Sequence, residues 1–193
     1  MEQPTYRNVL LMGRPGSGKG TQAKLLAEEF GWEHFSTGDR FKILRDAEGI
    51  LGASVREAYD AGKLLPDWFA TYLFESVVLE LDPAKGLVSE GYPRSIAQAE
   101  TFDSILSWLD RPYKVLDLAV SDELVTERML LRAETEHRPD SATEEQIKAR
   151  LNTYEEHTAP VLNFFKERGM LVSIDGALSP EEVRAAIRKE ISA

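Results

Sequence analysis

Val9-Leu10-Leu11-Met12-Gly13-Arg14-Pro15-Gly16-Ser17-Gly18-Lys19-Gly20-Thr21-Gln22 decides how the rest of the chain is read. Its apolar opening predicts a buried strand. The run 21–30 sets Ala23, Leu25, Leu26 and Phe30 against Gln22, Lys24, Glu28 and Glu29, which is helical periodicity. A strand, a glycine-rich turn and a helix start together build a phosphate cradle. The glycines admit backbone conformations closed to other residues, successive N–H groups point inward, and the helix N-terminus adds partial positive charge. Lys19 supplies a mobile full charge for β- and γ-phosphates. G-x4-G-K alone recurs by chance in about one chain in twenty of this length, so the flanking strand and helix carry the reading. The general pattern wants Ser or Thr directly after the lysine as a magnesium ligand; here Gly20 intervenes and Thr21 follows.

The 193 residues fit one domain with a substantial core. No apolar run is long enough to span a bilayer, and no signal-peptide pattern opens the chain, so a cytoplasmic protein without a membrane partner is expected. The absence of cysteine excludes disulfides and thiolate-bound zinc. His34, His137 and His157 are scattered without metal-ligand spacing. The net charge of −10 argues against nucleic acid and acidic membranes. A phosphorylated small molecule remains open to it through a local arginine cluster.

Short apolar runs at 8–12, 32–35, 86–89, 113–120 and 170–174 alternate with helical stretches at 96–109, 121–133 and 179–191. The alternation predicts an α/β fold, a five-stranded parallel sheet with helices on both faces, and ligands at the carboxyl ends of the strands. A helical insertion with helices near 37–46, 50–61 and 67–80, punctuated by Gly62 and Pro66, separates the second and third strands. The stretch 142–168 reads as one helix or two, with Pro160 a break or kink.

Ser36-Thr37-Gly38-Asp39 follows the second strand and Glu90-Gly91-Tyr92-Pro93-Arg94 the third. In isolation the first is a helix cap and the second a strand-end turn with a surface arginine. Together with the first loop, at the ends of three strands, they set hydroxyl, carboxylate and guanidinium groups around one crevice, where Arg94 can grip a phosphate with two parallel bonds. Arg128 and Arg132 share a helix face, either as a solvated charged surface or as phosphate contacts. A short polar loop separates Arg132 from Arg138, and Arg150 lies downstream.

This order of motifs resembles the short-lid adenylate kinases of the nucleoside monophosphate kinase family, over nearly the whole chain. The resemblance implies a P-loop NTPase fold as a single domain over 1–193, with a nucleoside monophosphate-binding insertion at 37–65 and a short lid loop at 132–139. It implies reversible transfer of a phosphoryl group, ATP + AMP giving two ADP, by a monomer. ATP would be held by Gly13, Pro15, Gly16, Ser17, Gly18, Lys19, Gly20 and Thr21, with Arg128 packed on its base, Gly176 beside that base, and Arg132 on its phosphates. AMP would be held by Thr37, Gly38, Lys42, Lys63, Leu64, Leu65, Gly91, Arg94, Arg138 and Arg150, with Gln98 reading the adenine edge. Lys19, Arg94, Arg132, Arg138 and Arg150 would gather round the transferring group. Magnesium would be held mainly by phosphates and water, near Asp39 and Glu90, without a direct protein ligand.

Three positions depart from the family pattern. Lys42 stands where the family has an arginine for the acceptor phosphate, with Arg40 and Arg45 as substitutes for that grip. Glu90 and Tyr92 stand where the family has Asp and Phe. Asp140-Ser141 replaces an Asp pair, with one extra residue before Arg150. A UMP/CMP kinase and a nucleotide-binding module without turnover are the rival readings. Thr37 and Gln98 favour adenine over pyrimidines, and the arginine set favours turnover, since binding alone needs no four converging guanidiniums.

Overall fold

The computed structural model describes residues 3–61, 63–136 and 143–193, with the side chains of 134–136 excepted. Five strands, β1 (Asn8–Met12), β2 (Glu33–Ser36), β3 (Leu87–Glu90), β4 (Tyr113–Ala119) and β5 (Leu171–Asp175), form one sheet in the order β2-β3-β1-β4-β5. Every neighbouring pair is parallel. This is the five-stranded parallel sheet that the alternation of apolar runs predicts.

Side chains alternate across the sheet because a strand repeats every two residues. Val9 and Leu11 of β1, Val88 of β3, and Leu116 and Leu118 of β4 face one side. There they meet Ala23 and Leu26 of α1 (Lys19–Phe30) and Val183, Ile187 and Ile191 of α9 (Pro180–Ser192). Leu10 and Met12, with Leu87 and Val115, face the other. That side is covered by Phe74 of α4 (Asp67–Val78), Phe102 of α5 (Ile96–Trp108), and Val161 and Phe165 of α8 (Ala159–Glu167). The sheet is buried on both faces, which is why the central strand β1 reads as a continuous apolar run over Val9–Met12.

The insertion between β2 and β3 contributes α2 (Thr37–Arg45), α3 (Gly49–Asp60) and α4. Arg45 fastens the first two: Nε donates to Asp60 Oδ1 at 2.7 Å and Nη2 to Asp60 Oδ2 at 3.0 Å. Phe41 of α2 stacks on Phe69 of α4. Gly62, between α3 and α4, lies outside the described residues.

The segment expected as a lid loop, 132–139, is helical as far as Glu136: α6 (Asp122–Glu136) runs into it, and α7 (Glu144–Thr153) follows it. Arg138 and the rest of 137–142 lie outside the described residues. Pro160 does not kink a continuous helix. A π-turn (Tyr154–Thr158) separates α7 from α8, and the Ala159 N–H reaches back five residues to the Tyr154 carbonyl. In a regular helix the ring of Pro160 would press on the carbonyl four residues back; the wider turn relieves that contact.

At the amino ends of the strands, Arg111 is buried. It donates to the carbonyls of Leu81, Asp82 and Lys85 at 2.8–3.0 Å and to Asn8 Oδ1 at 3.3 Å. It ties the β3 entry to β1 on the side away from the crevice.

Candidate active site

The turn after β1 keeps the conformation its glycines permit. Gly13 has φ 138° and Gly16 φ 84°. A Cβ on Gly13 would fall 2.6 Å from Ser17 Oγ and 2.9 Å from the Leu118 carbonyl. One on Gly16 would fall 3.0 Å from both Met129 Cγ and the Val125 carbonyl. Any side chain at either position would push the loop off β4 and α6. The helix that follows begins at Lys19, two residues before the run 21–30 that periodicity marks. Its free N–H groups and partial positive charge therefore sit inside the loop. The Ser17 hydroxyl is buried there without a hydrogen-bond partner among the described residues, which suits a donor to a phosphate oxygen.

Ser36 and Glu90 are the last residues of β2 and β3 and pair in register, where the sequence suggested that they follow the strands. The Ser36 hydroxyl donates to Glu90 Oε1 and accepts from the Asp39 N–H at 3.2 Å, capping α2. Next to them the Thr37 hydroxyl donates to the Gly91 carbonyl at 2.6 Å, and Arg94 Nε donates to the same oxygen at 2.7 Å. These bonds lock the two motifs together at the sheet's carboxyl edge.

Between loop and motifs opens a crevice of about 450 Å³. Among the described residues, seven Lys or Arg side chains line it against two carboxylates, Asp39 and Glu90, although the whole chain carries −10. Lys19 is at its centre. Its ammonium donates to the Arg14 carbonyl at 3.0 Å. Burial, reinforced by Arg94, Arg150 and Arg132, pulls its pKa from 10.5 down to about 8, with Glu90 opposing. A lysine so placed is a charge short of counter-charge, and phosphate oxygens would supply it.

Most of the residues expected around a donor nucleotide meet here. Pro15 to Thr21, Arg128, Arg132 and Gly176 line the crevice, and Arg128 Nη1 donates to the Gly176 carbonyl at 2.8 Å. Gly13 lines a smaller adjoining pocket with Gly91, Leu64, Arg94 and Arg150. On the acceptor side Gly38, Lys63, Leu64, Arg94 and Arg150 line the main crevice. Thr37, Leu65 and Gln98 are buried behind its wall. Lys42 is exposed on α2 and is not part of the wall. Of its two alternatives, Arg45 is engaged with Asp60, and Arg40 lies over the Phe35 ring.

Five contributors were not legible. Arg14, in the variable position of the loop, ion-pairs with Asp122 at the start of α6 and, at 2.6 Å, with Glu155 in the π-turn. Asp117 ends up beside Met12, and burial raises its pKa against the pull of Lys19 and Arg14. Asp67 holds Gln98. Lys24 and Tyr59 add to the crevice wall. Only Arg14 carried a local signal, an arginine where the loop needs no side chain.

Residues 11–170 match the family model described as adenylate kinase. The chain is 40% identical over 181 residues to the adenylate kinase of Cyanothece sp., covering 93% of this chain and 92% of that one. It is 42% identical over 183 residues to that of Maricaulis maris, covering 93% and 96%. To that of Stenotrophomonas maltophilia it is 39% identical over 180 residues, again covering 93% and 96%.

Proposed function

The chain belongs to the adenylate kinase family and catalyses reversible phosphoryl transfer, ATP + AMP giving two ADP; we propose that its own residues divide that work as follows. The loop 13–20 holds the donor phosphates, with Arg128 and Gly176 beside the ATP base. The insertion 37–65 with Gly91, Arg94 and Gln98 receives AMP. Lys19, Arg94, Arg132, Arg138 and Arg150 surround the group in transit. The observation that carries this reading is that Arg94, Arg132 and Arg150 line one crevice with the buried Lys19.

Phosphoryl transfer asks the protein for in-line positioning, charge neutralisation and exclusion of water rather than covalent chemistry. Lys19 and the arginines neutralise charge that spreads over the phosphate oxygens as the bond to the leaving group loosens. The acceptor phosphate is already largely ionised near neutral pH, so no general base is required. The insertion 37–65 and the lid 132–139 would close over the crevice and shut out water as a rival acceptor.

Magnesium fits this donor set through its phosphates. Glu90 and Asp39 offer oxygen, the chemistry magnesium prefers, while no group of three or more His, Asp or Glu side chains gathers as a cage among the described residues. Glu90 and Asp39 would hold waters of the bound ion. The ion itself would add charge neutralisation across the phosphates.

The resemblance to the family supports a monomer acting on free ATP, AMP and ADP. Those substrates support a cytoplasmic location. No helix among the described residues is long and apolar enough to cross a membrane. A coupled assay over AMP, CMP, UMP and GMP tests the reading. AMP should exceed CMP and UMP by at least about 100-fold in kcat/KM; equal use of UMP or CMP would move the acceptor site to the pyrimidine relatives.

A further inference from the structure

A glutamine reading a base is ambiguous. Turning its amide by 180° exchanges acceptor and donor, and the turned amide fits a different base. Adenine presents an amino donor at C6 and an acceptor at N1; a 6-oxopurine presents the reverse. An amide that selects adenine must therefore be held in one orientation.

Gln98 is held from both ends. Its Oε1 accepts from the Arg94 backbone N–H at 2.7 Å. Its Nε2 donates to Asp67 Oδ1 at 2.9 Å. The other carboxylate oxygen, Asp67 Oδ2, accepts from the Ser95 hydroxyl at 2.6 Å, and the same hydroxyl caps α5 by accepting from the Gln98 N–H at 3.3 Å. In the turned amide, Oε1 would face a carboxylate and Nε2 would face an N–H. Both contacts would change from attractive to repulsive. Each end of Gln98 keeps one group uncommitted: the second lone pair of Oε1, which can accept from an amino group, and the second N–H of Nε2, which can donate to a ring nitrogen. That pair fits adenine and opposes a 6-oxopurine.

We propose that Asp67 is a specificity-determining positioning residue: its carboxylate fixes the Gln98 amide in the orientation that accepts an adenine acceptor nucleotide and rejects a 6-oxopurine one. The proposal rests on the reading that Gln98 faces the base of AMP. Asp67 is 31 residues from Gln98 in sequence and opens α4. The last helix of the insertion segment thereby sets the chemistry that α5 displays.

The test compares kcat/KM for AMP and IMP in the wild type, Asp67→Asn, Asp67→Ala and Gln98→Ala. Asp67 is exposed, and thermal melts check each variant. In Asp67→Asn the new amide can donate to a turned Oε1, so the AMP:IMP ratio should fall at least about tenfold. The fall should combine a higher KM for AMP with better use of IMP, while KM for ATP stays. Asp67→Ala offers no donor and should shift the ratio the same way by less. A merely structural lesion would depress both nucleotides together. An unchanged ratio in both Asp67 variants, or equal losses on AMP and IMP, would overturn the proposal while Gln98→Ala lowers the ratio. An unchanged ratio in Gln98→Ala would instead remove the base reading on which it rests.

Discussion

Ser36 and Glu90 meet twice: they are register partners at the ends of β2 and β3, and the serine hydroxyl donates to the glutamate carboxylate. That hydroxyl also caps α2. One side chain thus joins the edge of the sheet, the acidic group facing Lys19, and the first helix of the insertion. Ser36→Ala should cost about 1–2 kcal/mol, the sum of a lost cap and a weakened charge-assisted bond. Urea unfolding measures it, and an effect within about 0.3 kcal/mol of zero would show the link to be dispensable.

Lys19 should matter more to the transition state than to the ground state. Lys19→Met should lower kcat at least about 100-fold, roughly 3 kcal/mol, with the fold retained. Near-normal turnover in a correctly folded variant would refute the phosphate-cradle assignment.

The lowered pKa of Lys19 has a sign that calorimetry can read. Folding holds the ammonium at about 8 against 10.5. The unfolded chain therefore binds more protons between those values, and this group's contribution to stability rises with pH across that window. ATP phosphates restore counter-charge and drive the group back toward the ammonium. Binding at pH 8.5 should take up more than about half a proton, and at pH 6.5 almost none. Titrations in buffers of different ionisation enthalpy give the number, and Lys19→Met should abolish it.

Lys42 keeps a positive charge where the family has an arginine, without the planar fork that matches phosphate oxygens. If the insertion closes Lys42 onto the acceptor phosphate, Lys42→Arg should tighten AMP binding by about 1 kcal/mol, or fivefold, and leave ATP affinity alone. Lys42→Ala should weaken AMP by more. Arg45→Ala should chiefly loosen α2 from α3 by removing the pair with Asp60. Unchanged AMP affinity in Lys42→Ala, beside a large loss in Arg40→Ala or Arg45→Ala, would transfer the grip.

Arg111 is a structural arginine at the opposite end of the sheet. Arg111→Met leaves three carbonyls and the Asn8 side chain without their shared donor. The expected loss is about 2–4 kcal/mol of stability, with kcat at low temperature within twofold of the wild type, by about that margin. Thermal unfolding together with steady-state rates separates the two.

Local pattern foretold the sheet well because both of its faces are covered. A strand buried on both sides is mostly apolar, so β1 and β4 stand out of the sequence nearly to the residue, even though β4 carries Lys114 and Asp117. β2, β3 and β5 each begin and end one residue later than the apolar signal. The strand ends of β2 and β3 are the polar Ser36 and Glu90, which extend the ladder while belonging to the site. Gln98 and Arg94 were legible through the motif they form. Asp67 and the partners of Arg14 were not, because each contact joins residues far apart in sequence: 31 positions for Asp67 and Gln98, 141 for Arg14 and Glu155. Periodicity is blind to such pairs.

The π-turn at 154–158 holds one residue more than an ordinary helical turn would. Deleting His157 would close it to an ordinary turn and press the ring of Pro160 on the carbonyl four residues back. The helical stretch would have to break or kink there, at the joint between the segment that carries Arg150 and the one packed on the sheet. A single-codon deletion would thus disturb the crevice through a proline, while every side chain that does chemistry remained in the chain.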